Sequence, residues 1–231
     1  MVATATKAAE IKIMCSGAMR PALEELAPQF ERATGHKLAI TYAGTNVIRE
    51  RALAGDAGDL VICASYAVDD VIRQGKLAAK VDLVRSGVGV GVRAGSPRPD
   101  LSSAEAFKRT LLAAKSFARS EGPSGVYIAA LLERLGIAEQ MKPKTVVVRG
   151  RLVGDALVKG EADIGVQQIS ELKSVPGVDV LPMPAEIQNV TVFSAGLTTA
   201  ARESEPVQAF IKFLTAPAAA PVIKAKGLDP A

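Results

Sequence analysis

The chain has 231 residues, of which 48% are hydrophobic and 23% are charged, and it contains no tryptophan. A chain of this length and composition can bury a substantial core and form one large or two small globular domains. Its formal net charge of +4 comes from scattered Lys and Arg residues with few aromatic residues among them, which argues against nucleic-acid binding and suits a small anionic ligand.

The sequence also gives expectations about where the protein is located and whether it holds a metal or a cofactor. No apolar run approaches the roughly 20 residues of a membrane-spanning helix, so we expect no membrane insertion. The opening MVATATKAAE lacks the apolar core of a secretion signal. We therefore expect a periplasmic protein if a leader was removed, and a cytoplasmic one if the chain is complete as written. One histidine and two cysteines without metal or redox spacing predict no metal and no cofactor, and we expect a monomer.

The first third of the chain alternates strands with amphipathic helices. The predicted strands are IKIMC, KLAITYA and DLVICA, and each is followed by a helical pattern. Pro21 and Gly35 stand near the start and just past the end of the first helix, in their preferred places. This order predicts a parallel sheet with helices on both faces. With strands in the order 2-1-3, Cys15 and Cys63 end neighbouring strands, and buried free thiols are favoured over a disulfide.

A second β/α series follows the extended stretch SGVGVGVRAGSPRPD. It comprises a helix over 104–112, the strand KSFARS, a helix over 126–135, the strand KTVVV, a helix over 152–159 and the strand DIGVQQ. QNVTVFSAGL predicts a return strand, and two helices end the chain. We therefore predict two lobes: residues 1–87 with 190–231, and residues 88–189. The crossing strands near Gly87–Val92 and Val190–Ser194 are the expected hinge around a cleft.

Small polar residues fill the loops that follow four of the strands. Parallel sheets bind ligands beyond the carboxyl ends of their strands, where these loops lie. The stretch GPSGVYIAALLERLG leaves a helix start bare, so that an anion can reach its free backbone N–H groups. The alternative is an ordinary helix start capped by Ser124. The four loops are CSGAM, AGTNV, SEGPSG and RGRLVG.

Four segments carry a family resemblance, in chain order: IKIMCSGAMRPALEELAPQFERATGHKLAITYAGT, ALAGDAGDLVICAS, GPSGVYIAALLERLG and ALVKGEADIGVQQISEL. Over nearly its whole length the chain resembles the bacterial periplasmic solute-binding proteins of the molybdate-binding type. The resemblance implies the two-lobed α/β fold of periplasmic binding proteins (type II), in which each lobe is a mainly parallel sheet flanked by helices. It also implies an oxyanion held in the cleft by hydroxyl and backbone N–H groups.

The loops and the resemblance together give a set of expected ligand residues. The third loop keeps the family's Pro-small-Gly-aliphatic-Tyr pattern in Pro123–Tyr127, whereas the family's first-loop Ser falls on Ala18 and its last-strand Tyr on Gln168. These two departures open the alternative of a carboxylate ligand. The expected ligand residues are Ser16, Thr45, Asn46, Ser124, Gly125, Tyr127, Arg149 and Gln168.

The main functional prediction is capture of a small anion, an oxyanion such as molybdate or a small carboxylate, as the binding component of an ABC-type uptake system with a permease as partner. The segments QQISEL and PAEIQNVTVFSAGL also resemble a side branch that is similar to aconitate isomerase. That similarity implies the alternative of an isomerase that moves a double bond in an unsaturated di- or tricarboxylate. Glu121 and Tyr127 are then the expected catalytic residues, with Cys15 and Glu171 as further proton carriers. A cytoplasmic anion sensor is a third possibility.

Overall fold

The computed structural model describes residues 8–56 and 58–231, so the start of the chain, on which the expectation about a leader rests, lies largely outside the described residues. The elements, in chain order, are β1 (Glu10–Ser16), α1 (Arg20–Thr34), β2 (Lys37–Ala43), α2 (Thr45–Leu53), β3 (Leu60–Ala64), α3 (Ser65–Arg73), β4 (Ala79–Arg93), α4 (Ala104–Ala113), β5 (Phe117–Ser120), α5 (Pro123–Arg134), α6 (Ala138–Met141), β6 (Thr145–Val148), α7 (Val153–Val158), β7 (Ile164–Gln168), α8 (Ile169–Lys173), β8 (Val178–Pro182), β9 (Val190–Leu197), α9 (Thr199–Glu203), α10 (Glu205–Thr215), α11 (Ala220–Ala225) and β10 (Asp229–Pro230).

The chain divides into two compact units. The first comprises the chain up to Val84, Val192–Ala225 and Pro230–Ala231, and the second comprises Arg85–Thr191 and Lys226–Asp229. The first unit boundary, after Val84, lies three residues before the predicted one after residue 87. The second boundary, after Thr191, lies two residues past the predicted one after residue 189. The segment Lys226–Asp229 was expected in the first lobe but packs with the second unit. A Cβ on Gly227 would lie 2.7 Å from Ile169 Cγ2, which shows how closely this tail crosses α8.

The first unit has a sheet in the order β2-β1-β3-β9. β1 pairs in parallel with β2 and β3, as the predicted 2-1-3 order requires, and β9 runs antiparallel to β3. The register places Ser16 opposite Ala43, so the carboxyl ends of β1 and β2 lie at one edge. Ser194 Oγ donates to Asp82 Oδ1 at 2.6 Å and ties β9 to β4 within this unit.

Aromatic and aliphatic side chains hold the helices of the first unit on its sheet. Phe30 of α1 is fully buried and meets the Phe210 ring of α10 edge-on at 5.0 Å. Gly35 ends α1 at φ +76°, a left-handed conformation that glycine adopts without strain. Among the described residues, no single helix is long and apolar enough to cross a membrane; α10 and Pro217–Ala225 reach that length and hydropathy only as a pair bent by 56°.

The second unit has a sheet in the order β4-β7-β5-β6, with β8 also paired to β4. β5 is parallel to β6 and β7, whereas β4 runs antiparallel to β7 and β8. The Val-Gly alternation of β4 has a packing cause. Its valines are buried in the core with Phe107 and Phe117, while a Cβ on Gly89 would lie 2.9 Å from Ile169 and one on Gly91 2.9 Å from Leu157. The glycines therefore let α7 and α8 approach the backbone.

The described structure also contains elements that the sequence did not predict. α5 begins at Pro123, three residues earlier than expected, and α9 precedes the two expected C-terminal helices. The short elements α6, α8 and β8 were unpredicted as well, because four or five residues are too few to show a period. Cys15 and Cys63 are buried, free thiols.

Candidate functional site

The loops of the first unit present two hydroxyls at the carboxyl edge of its sheet. Ser16 ends β1 and is 5% exposed; Thr45 opens α2 after Gly44 and is 2% exposed. Asn46 follows on the exposed side of the same turn. Thr45 Oγ1 has no hydrogen-bond partner among the described residues. Because a buried hydroxyl without a partner is costly, a ligand oxygen at the free N–H groups of α2 would satisfy it.

Arg20 is engaged within the first unit. Its Nε lies 2.7 Å from Glu24 Oε1, and its guanidinium stacks over the Tyr42 ring at 5.1 Å. The Glu24 hydrogen bond raises the pKa of Arg20, and burial raises the pKa of Tyr42. The helix dipole disfavours a cation at the start of α1. The contacts with Glu24 and Tyr42 account for Arg20 at this position, so no ligand is needed to explain it.

The loop after β5 carries the bare helix start of the second unit. Gly122 is the N-cap of α5 and has no side chain to cap it, while Ser124 lies inside the first turn, so Ser124 is not the cap. Ser120 Oγ accepts from Gly122 N at 3.3 Å and lies 3.4 Å from Ser124 Oγ. A Cβ on Gly125 would lie 1.7 Å from Ser120 O. The glycine is therefore required for the close approach of Ser120 to the first turn of α5.

An ion pair joins the loops after β5 and β6. Arg149 Nε donates to Glu121 Oε1 at 2.8 Å, and their side chains are 69% and 54% exposed. The neighbouring Arg151 pairs with Glu161 instead. Arg149 and Glu121 are thus both open to solvent, and a carboxylate ligand can compete with Glu121 for the guanidinium.

Two of the expected ligand residues, Tyr127 and Gln168, form side-chain hydrogen bonds with other groups of the protein. Tyr127 Oη donates to Ile187 O at 2.6 Å, and its ring packs on the core of the second unit. Gln168 is 1% exposed. With its amide oriented to satisfy both ends, its nitrogen donates to Ser86 Oγ at 3.0 Å and its oxygen accepts from Thr191 Oγ1 at 3.1 Å. In this arrangement Gln168 connects strands, and neither residue offers a free donor.

Glu171, a minor candidate in the sequence, has the most perturbed carboxyl among the described residues. Burial raises its pKa to about 7, although hydrogen bonds from the Gln167 side chain and the Gln168 backbone lower it. Gln167 Oε1 in turn accepts from Val153 N at 2.8 Å. A carboxyl that titrates near neutral pH can both take up and return a proton.

The other proposed proton carrier is unsuited to that task. Burial and the nearby Cys63 raise the pKa of Cys15 well above its ordinary value, so its thiol stays protonated at neutral pH. Among the described residues, no group of three or more His, Cys, Asp and Glu side chains could hold a metal ion. A depression of about 420 Å³ between α8 and β8 contains none of the predicted ligand residues.

Comparisons with known proteins add a second line of observation. Residues 11–229 match the family of bacterial extracellular solute-binding proteins. Aconitate isomerase from a Pseudomonas species is 34% identical over 229 residues, which cover 95% of this chain and 87% of that protein. The molybdate-binding protein ModA of Azotobacter vinelandii is 22% identical over 235 residues, covering 98% of this chain and 92% of the relative.

A solved structure supports the fold. The periplasmic molybdate-binding protein of Azotobacter vinelandii matches with a TM-score of 0.78 at 20% identity, covering 94% of this chain and 98% of that one. This likeness confirms the predicted α/β fold class of the periplasmic binding proteins.

Proposed function

The chain belongs to the bacterial extracellular solute-binding protein family, and we propose that within this family it is an isomerase that moves the double bond of an unsaturated tricarboxylate of the aconitate type. The observation that carries the proposal is the 34% identity to aconitate isomerase over 95% of the chain. The molybdate-binding relatives reach 22% and 25% over similar lengths. The sequence ranked this function second, and the comparisons favour it over capture of an oxyanion.

The described loops suit a ligand with several carboxylates. In the second unit, Arg149 offers a guanidinium, and Ser124 and Gly125 stand at the uncapped start of α5. In the first unit, Thr45 offers a buried hydroxyl without a partner at the start of α2. Guanidinium groups bind carboxylates in a planar, two-point manner, and helix starts bind them through backbone N–H groups. We assign these residues, with Ser16 and Asn46, to ligand binding.

The reaction needs one proton carrier and no redox partner. A base removes a proton from the methylene carbon next to the double bond, and the released electron pair forms a new double bond to the central carbon. The original double bond opens, and its outer carbon takes up a proton. Atoms and electrons balance, because one proton leaves and one returns. The enzyme must stabilise the carbanion between these steps. Its negative charge spreads onto the oxygens of the substrate carboxylates, where hydrogen-bond donors stabilise it.

Capture of an oxyanion for an ABC-type permease is the second candidate. The bare start of α5 and the likeness to molybdate-binding proteins favour it. It needs no proton carrier and leaves the carboxyl of Glu171 without a role in binding.

A ligand panel separates the two candidates. Thermal unfolding is measured with cis-aconitate, trans-aconitate, citrate, molybdate, tungstate and phosphate, each at increasing concentration. A ligand at 100 times its Kd stabilises the folded state by about 2.7 kcal/mol, which is a clear shift. We expect stabilisation by the tricarboxylates and turnover of aconitate. Stabilisation by molybdate or tungstate alone, without turnover of aconitate, would replace the isomerase with the oxyanion carrier.

A further inference from the structure

Glu171 follows the last strand at the ligand edge of the second unit. It is the third residue of α8, which begins directly after β7. β7 is parallel to β5, with Val166 opposite Arg119, so the ends of both strands lie at one edge of the sheet. The loop of Ser120–Gly125 leaves from this same edge. Glu171 therefore lies on the side of the sheet to which we assign the ligand.

A fixed amide holds the Glu171 carboxyl. Gln167 Oε1 accepts from Val153 N at 2.8 Å, so the amide nitrogen is free to donate to the carboxyl of Glu171. The backbone N–H of Gln168 donates to the same carboxyl. Because Val153 opens α7, the amide of Gln167 links the starts of α7 and α8. The carboxyl is thus held from two sides.

A structural role explains only part of this arrangement. A glutamate at the third helical position often accepts from the backbone N–H at the cap, as Glu171 does from Gln168. Helix capping does not require the second donor from Gln167. Ser170, which precedes Glu171, is fully buried, and its Oγ has no partner among the described residues. This turn therefore contains more polar atoms than its internal bonds use.

Glu121, the residue first expected to carry the proton, is differently placed. Its carboxylate is more than half exposed and bonded to Arg149. It suits the role of a counter-ion that a substrate carboxylate displaces.

We propose that Glu171 is the catalytic carboxyl that takes the proton from the substrate methylene and returns it to the other end of the allylic system, and that Gln167 is its positioning residue. This inference rests on the proposed isomerase function. Glu171 becomes protonated in the first step and is deprotonated again in the second, so no other reactant is required. The pKa of about 7 supports this assignment, because a base works best near the pH at which it acts.

The test compares Glu171→Gln with Glu139→Gln, which instead removes an exposed carboxylate on α6. Conversion of cis-aconitate is followed by NMR. Solvent deuterium is followed as well, since it enters the substrate whenever the carboxyl exchanges its proton with water before returning it, and the Kd for aconitate is measured by calorimetry. We expect E171Q to lower kcat and deuterium incorporation at least 100-fold while the Kd changes less than about threefold. E139Q should keep kcat within about twofold of the unmodified protein, because the side chain is exposed and has no role in the site. An E171Q enzyme with more than a tenth of the original kcat would overturn the assignment.

Two further results complete the test. Gln167→Leu should lower kcat at least tenfold and leave KM unchanged, because it releases the carboxyl without touching the substrate. Equal loss of substrate binding and of kcat would instead assign Gln167 to the structure of the turn. If the unmodified protein binds aconitate but converts none, the proposed function fails as well; if it converts aconitate and E171Q does too, only the assignment of Glu171 fails.

Discussion

Arg149 Nε donates to Glu121 Oε1 at 2.8 Å, although the two residues lie in different strand-to-helix loops of the second unit. The parallel register of β5 and β6, with Ser120 opposite Val148, brings the two loops together. Each side chain is more than half exposed, so solvent weakens their attraction. The guanidinium is therefore open to competition from the substrate carboxylate that we propose for this site.

Replacing Arg149 with Ala should weaken tricarboxylate binding by about 10- to 100-fold, because hydrogen bonds to charged groups contribute roughly 1.5–3 kcal/mol. The free energy of unfolding should change by less than about 1 kcal/mol, since the ion pair is exposed. Calorimetric titration with aconitate and thermal unfolding measure the two quantities. Arg151→Ala is the matched control, because Arg151 pairs with Glu161 and should leave binding unchanged. Equal binding by both variants would remove Arg149 from the site.

Replacing Thr45 with Val should separate binding from stability. The variant has nearly the same shape and loses a buried hydroxyl that has no partner among the described residues. We expect unchanged or higher stability, by up to about 1–2 kcal/mol, together with about tenfold weaker ligand binding. Thr45→Ser keeps the hydroxyl and should bind like the unmodified protein. If T45V binds the ligand as tightly as T45S does, the hydroxyl makes no contact with it.

The glycines of the loop after β5 should differ sharply in their tolerance of a methyl group. A Cβ on Gly125 would lie 1.7 Å from a backbone oxygen, whereas one on Gly122 would lie 3.6 Å from its nearest neighbour. Gly125→Ala should lower the free energy of unfolding by about 1–3 kcal/mol or more, and it should weaken ligand binding. Gly122→Ala should cost no more than about 1 kcal/mol, the effect of a changed cap. Chemical denaturation of both variants measures the difference, and similar losses would contradict the observed turn.

Stability should depend on pH through Glu171. Its pKa is raised from 4.5 to about 7 in the folded protein, so between these values the unfolded chain releases a proton that the folded chain keeps. Stability contributed by the protonated carboxyl is therefore present below about pH 4.5 and is lost as pH rises to about 7. Glu171→Gln removes this loss. Its free energy of unfolding should match the unmodified protein at pH 4.5 and exceed it by about 1–3 kcal/mol at pH 8. A constant difference across this range would show that the carboxyl titrates normally.

The sequence predicted the architecture well where a repeating pattern was long. The stripe of buried side chains on α1 and the alternating order of strands and helices define the first sheet, and its 2-1-3 order is as predicted. The Val-Gly alternation correctly predicted extended backbone in β4. It did not reveal that Gly89 and Gly91 are needed where helices pack, because that depends on Ile169 and Leu157, which come much later in the chain.

Side-chain chemistry was harder to predict than backbone position. The resemblance pointed to Tyr127 and Gln168 as ligand residues, but their partners Ile187 and Thr191 come from distant segments, so sequence spacing could not show that their polar atoms were occupied. For the same reason the sequence named Glu171 only as a further proton carrier. Its raised pKa comes from burial in the folded unit. The only available signal was a glutamate three residues after a strand end, which is also typical of a helix cap.

The most direct test of the proposed isomerase starts one NMR sample from cis-aconitate and a second from trans-aconitate, each with a small fraction of an equivalent of protein. Because a catalyst changes rates and not the equilibrium, the two samples should converge on the same ratio of isomers, at a rate proportional to the protein concentration. Unchanged spectra in both samples, from protein that is still folded at the end of the incubation, would contradict the proposal.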